Sequence, residues 1–177
     1  MSALPLSGAH GGNRFPGVDV MAQAPHWDQA TRELLEERAA PHGPLRFFTR
    51  LEAATAGALF DQLLDQRAEP RVPVLEMVDA RLAEDETDGW RYESMPMDPD
   101  AWRRTVAALD ADAVALHDRS FPELEWDEQA AIVQAVQDTE DALWHGMPGT
   151  QVWSLWTRYA CTAFYAHPAA WQELGFG

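Results

Sequence analysis

The chain has 177 residues, 46% of them hydrophobic, and 29 Asp and Glu against 13 basic residues give it a formal net charge of -16. That length suffices for one compact domain burying about 70% of its unfolded surface, while that charge repels nucleic-acid backbones and anionic membrane surfaces. Every basic residue is Arg, which excludes Schiff-base lysine chemistry and a P-loop lysine. The lone Cys161 excludes an iron–sulfur cluster, a CxxCH haem site, a cysteine-built structural zinc and an internal disulfide.

Met1 to Pro25 is rich in Gly and Pro and has no sustained period, so residues 1–25 are expected to form an extended arm, flexible or wrapped on a partner. It has neither paired Arg nor an uninterrupted apolar core, so a cytoplasmic location is expected, with a periplasmic one open if a partner carries the chain across. Residues 26–177 are expected to form the helical domain. His26 to Ala40 reads as its first helix, with Asp28 near the start and Ala30, Leu34 and Leu35 on one face, ended by Pro41, Gly43 and Pro44. Thr49 and Glu52 have capping-box spacing ahead of Leu51, Ala54, Ala58, Leu59, Leu63 and Leu64, which recur at helical steps. Pro73 suits the first turn of a third helix with Val74, Leu75, Val78 and Leu82 inward and Glu76, Asp79 and Arg81 outward.

Asp85 to Pro99 lacks any period and is read as a long surface connection. Asp98 followed by Pro99 resembles an N-cap opening a helix through Trp102, Val106, Leu109, Ala113 and Leu116. Trp126 to Leu143 places Ile132, Val133, Val136 and Leu143 on one side, and Thr150 to Ala166 forms an aromatic-rich helix ended by His167 and Pro168, with a short turn around Trp171. No run of period-two alternation occurs. The expectation is an all-α fold, a single compact domain of about six helices with an extended N-terminal arm.

Catalytic constellations are weak. No His has a Glu three residues before it, so the Glu-x-x-His pairs of a di-metal bundle are missing. Asp141 and His145 stand four apart and would share a helical face, which makes a stand-alone helical metal-binding enzyme or ligand-binding protein the alternative reading, although one pair is half a mononuclear site. Ser154 sits in Trp153-Ser154-Leu155, not on a strained Gly-x-Ser-x-Gly turn. Apolar neighbours favour a buried, inert Cys161, with a thiol at a subunit contact as the sharper option.

The last helix is apolar almost all round, leaving Ser154, Arg158 and Thr162 as a narrow polar line. Such a helix needs cover on nearly every side, from the chain itself or from another protein. Trp, Tyr and Arg are also the residue types enriched at binding hot spots. Trp153, Trp156, Tyr159, Cys161, Phe164, Tyr165 and Trp171 are therefore the candidate partner interface.

Arg46-Phe47-Phe48-Thr49, Pro73-Val74-Leu75-Glu76-Met77-Val78-Asp79, and the Trp156 to Phe164 helix followed by His167-Pro168 and Trp171 resemble the gluconate 2-dehydrogenase subunit 3 family from about residue 45 onward. The resemblance implies a small non-catalytic accessory subunit, with no catalytic, cofactor or metal residues of its own. Such a subunit binds and stabilises, or helps mature, a large FAD-dependent dehydrogenase of the glucose–methanol–choline type that oxidises sugars or alcohols. The FAD would belong to that partner. A homodimer whose two terminal helices cover each other is a third reading, open for the chain when alone.

Overall fold

The computed structural model describes residues 19–174, and the body of the expected arm, residues 1–18, lies outside them. Seven α-helices follow a short 3-10 turn at Met21–His26: α1 (Gln29–Ala39), α2 (Arg50–Leu64), α3 (Val74–Ala83), α4 (Asp98–His117), α5 (Trp126–Asp138), α6 (Gly149–Ala166) and α7 (Pro168–Leu174). A two-stranded hairpin, β1 (Leu143–Trp144) and β2 (Met147–Pro148), joins α5 to α6. The all-α expectation is met.

Helix starts follow local chemistry. The Asp28 carboxylate accepts the Thr31 N–H and caps α1, and Thr49 and Glu52 close the reciprocal box that opens α2. Glu125 and Glu128 repeat the box at α5. α2 and α6 each pack against α3 and α5 and against each other, and α4 packs against α2 and α5. Trp102, Trp156, Tyr159, Phe60 and Leu109 fill the space between. The Trp102 and Tyr159 rings meet edge to face at 5.6 Å, and those of Trp144 and Trp156 at 5.5 Å.

Several expectations need correction. The arm does not extend to Pro25 as an unpacked element, because Val20 is buried and residues 21–26 form the 3-10 turn. On α1 only Leu35 is buried, while Leu34 faces outward. Asp79 is not on the outer face of α3. It is buried, with its carboxylate accepting the N–H groups of Arg46 (2.6 Å), Phe47 (3.0 Å) and Phe48 (2.8 Å). It thereby ties the turn before α2 to α3, joining two of the motifs that carry the family resemblance.

Asp98 does not cap α4. Met97 holds that position, and Asp98 turns inward to accept the Tyr159 hydroxyl proton at 2.7 Å. α5 stops at Asp138 rather than Leu143, since Glu140 takes up the left-handed region and the hairpin begins three residues later. His145 and Gly146 have φ of 47° and 81°, the two positive values of a mirror-image hairpin turn. The turn around Trp171 is a full helix, α7.

Candidate functional site

α6 divides into two faces. Val152, Leu155, Trp156, Tyr159, Ala160 and Ala163 point into the molecule. Ser154, Arg158, Cys161, Thr162 and Tyr165 share the opposite side, a stripe about 16 Å long at helical rise. Cys161, Thr162 and Tyr165 are exposed there, so the expectation of a buried thiol is overturned: Cys161 lies on the outer side of the helix.

The near end of the stripe is built jointly with the connection 84–97. Arg158 is the clamp. Its Nε lies 3.0 Å from Asp88 and its Nη2 3.2 Å from Asp98, while its guanidinium stacks 4.6 Å above the Trp90 ring. Asp88 also pairs with Arg81 of α3, whose guanidinium covers the Tyr159 ring at 4.6 Å. The Ser94 hydroxyl donates to Gln151 at 2.5 Å, and Arg91 donates to the Met95 carbonyl at 2.8 Å. A connection without periodic secondary structure is thus fixed to α3 and α6 by charge-assisted contacts. Inside the clamp the Tyr159 phenol is held well above its ordinary pKa, first by burial and then by donating to the Asp98 carboxylate.

Fixing that connection displays aromatic surface. Trp90 is 51% exposed and Tyr92 42% exposed, their rings edge to face at 5.4 Å, and Met97 is 51% exposed beside them in sequence. At the far end Tyr165 is 50% exposed, and the Trp171 indole N–H donates to its carbonyl at 2.6 Å. The depression lined by Trp90, Tyr92, Gln151, Ser154 and Arg158 has about 10 Å3 of free volume, room for one water molecule rather than a sugar. This is a surface with aromatic and Arg anchors, the composition of a protein contact.

The expected interface residues separate accordingly. Trp156 and Tyr159 belong to the molecule's own core, at 0% and 1% exposure, and cannot touch a partner without unfolding. Trp153, Phe164 and Trp171 are half-buried against that core. Cys161 and Tyr165 remain available. Periodicity alone missed Trp90 and Tyr92, although two aromatic rings close together in a connection without a helical period were a visible signal.

The alternative metal pair does not assemble. Asp141 accepts the Thr150 hydroxyl at 3.0 Å, while His145 Nε2 lies 2.7 Å from Asp112, which also accepts the Trp144 indole N–H at 2.7 Å. The cause is the early end of α5, which puts the two residues on a turn instead of one helical face. Among the described residues no group of three His, Cys, Asp or Glu side chains is placed to hold a metal ion.

A wider groove of about 370 Å3 runs beside α2, lined by Gly57, Phe60, Asp61, Gln66, Arg71 and Leu75 among others. Burial pushes the Asp61 carboxyl up to about 6, outweighing the attraction of Arg71, with Glu69 and Glu76 adding to the rise.

Comparison with curated proteins and with solved structures finds no match. The family model described as gluconate 2-dehydrogenase subunit 3 matches residues 50–177. That span takes in α2 through α7, the buried Asp79, the Arg158 clamp and the exposed stripe of α6. The chain belongs to the gluconate 2-dehydrogenase subunit 3 family.

Proposed function

We propose that this chain is a non-catalytic accessory subunit that binds and stabilises a large FAD-dependent dehydrogenase of the glucose–methanol–choline type. Membership of a family named for a dehydrogenase subunit supports the association. The observation that carries the docking site is the exposed line from Trp90 and Tyr92 past Arg158 to Cys161 and Tyr165. The Arg158 clamp holds the Trp90 ring, and Tyr92 against it, in place before any partner arrives, which lowers the ordering cost of association. The flavin and the oxidation chemistry belong to the large subunit in this reading. The small chain supplies a preformed surface.

Co-expression with a large dehydrogenase of this type from the same organism should give a complex that survives size exclusion. Trp90→Ala with Tyr165→Asp should weaken that complex by about 30-fold or more, since each hot-spot residue contributes at least roughly 1 kcal/mol and commonly more, while the helical spectrum of the free chain stays unchanged. Trp156→Asp is the contrasting variant, expected to unfold the chain by burying an unpaired charge. A chain that stays monomeric in the presence of the large subunit, or a double variant that binds undiminished, overturns the proposal.

A further inference from the structure

His167 occupies the junction between α6 and α7 with extended backbone, φ -87° and ψ 133°, the geometry of a residue that caps the following helix. Pro168 comes next and brings no N–H, so the first donor of α7 is the Ala169 N–H, which donates to His167 Nδ1 at 3.2 Å. An imidazole nitrogen can accept only while it carries no proton. Neutral His167 therefore holds its proton on Nε2, and protonation at Nδ1 replaces an attraction with two N–H groups facing each other. It also places a positive charge at the positive end of a helix.

The surroundings add to the penalty. From α1, Arg38 reaches the Ala166 carbonyl at 3.5 Å, next to His167 in the chain. From the segment 40–49, His42 brings an imidazole whose Nε2 is enclosed without a hydrogen-bond partner. The last turn of α6 contributes Tyr165 and no carboxylate. α1 also carries Glu33, Glu36 and Glu37, but among the described residues it is His42 that acts on the His167 charge. Burial, and then repulsion from His42, hold its pKa below the ordinary histidine value.

We propose that His167 is a proton-operated latch: neutral, it caps α7 and keeps that helix on α6, and when protonated it releases α7 and uncovers the apolar end of α6. What the latch holds is substantial. Ala170 is fully buried, Ala163 nearly so, and the Trp171 indole N–H returns to the Tyr165 carbonyl. The direction follows from linkage. A histidine whose docked-state pKa is depressed binds its proton more readily in the open state. Docking of α7 is therefore at full strength above about pH 6.5 and weakens as pH falls through that value toward the lower docked-state pKa.

Hydrogen exchange of the full chain, read as protection factors so that the chemical pH dependence of exchange is removed, tests this. Between about pH 7.5 and about pH 5.5, protection at Ala169, Ala170 and Trp171 should fall several-fold, while that of Trp102 and Leu109 in α4 holds. In His167→Asn, a residue that caps and does not titrate, protection should stay high across the range. In His167→Ala it should be low at both ends. A titration arising elsewhere, including at Glu173 of α7 itself, would persist in His167→Asn. Wild-type protection independent of pH, or a His167→Asn chain that follows the wild type, overturns the latch.

Discussion

Without its carboxylate, position 79 would leave the part-buried N–H groups of Arg46 and Phe47 and the buried N–H of Phe48 without that acceptor. Asp79→Ala is expected to cost about 3 kcal/mol of stability by denaturant titration, and Asp79→Asn less, because the amide oxygen retains part of the accepting capacity. Equal midpoints for Asp79→Ala and wild type would show that water reaches those groups. Asp61 makes a different prediction. Its folded pKa of about 6 lies above the ordinary carboxylate value, so the folded state holds the proton more tightly than the unfolded one. Asp61 favours folding while protonated, and that contribution is lost as pH rises from about 4 through about 6. Carboxyl carbon resonances should show Asp61 titrating near the upper value, and Arg71→Gln should move it higher still because burial remains and the opposing cation is gone. A titration near the ordinary value would mean that the groove is wetter than its walls imply.

Neither inward-facing acid was legible from local pattern, and the reason is physical. On a helix Asp79 follows the polar side by spacing, yet its acceptors' partners are backbone donors 31 to 33 positions earlier, and those of Asp98 lie 60 and 61 positions later. Periodicity reports the chemistry of a residue and its near neighbours, not a partner brought up by the fold.

Among the elements, the start of α2 was readable because its capping box is a contact across three residues, within reach of sequence, whereas α1 starts at Gln29 and not at His26 because Asp28 caps it and residues 21–26 form a separate turn. The end of α5 was not readable either. Its apolar side continues in sequence to Leu143, but the chain turns at Glu140, and Leu143 ends up exposed on the hairpin. That hairpin sets where α6 begins. A Cβ at Gly149 would lie 2.9 Å from the Glu140 carbonyl and 2.9 Å from Thr139 Cβ. Gly149→Ala is therefore expected to destabilise the chain by about 1–3 kcal/mol, since a backbone oxygen cannot yield as a side-chain tip can. Thermal melting of that variant beside Gly57→Ala, where the nearest atom is a Leu75 methyl at 3.5 Å, provides the comparison. Similar melting temperatures for the two would show that α5 and α6 can separate at this point without loss.

For the whole molecule, the demand that α6 be covered on nearly every side is met in part from within. Trp156 and Tyr159 satisfy it inside the core, and the clamp of Arg158, Asp88 and Trp90 covers one stretch of the polar line. What stays uncovered is narrower than the sequence implies and is shared with the connection 84–97. All-helical architecture and the family were legible, because both are written in apolar spacing and in packing motifs over many residues. The division between core and surface rings was not, because a Trp at a given helical angle reads the same whether a neighbouring helix or solvent stands opposite. Only the placement of α3, α5 and α7 around α6 decides it.

Cys161 bears on this directly. It is the chain's one sulfhydryl, it faces outward, and it sits a single helical turn from Tyr165. A nitroxide or fluorophore attached through maleimide chemistry would therefore go to one known address with no engineering of the sequence. Its mobility would report, in the native polypeptide, whether that flank is immobilised when a large flavoprotein is added.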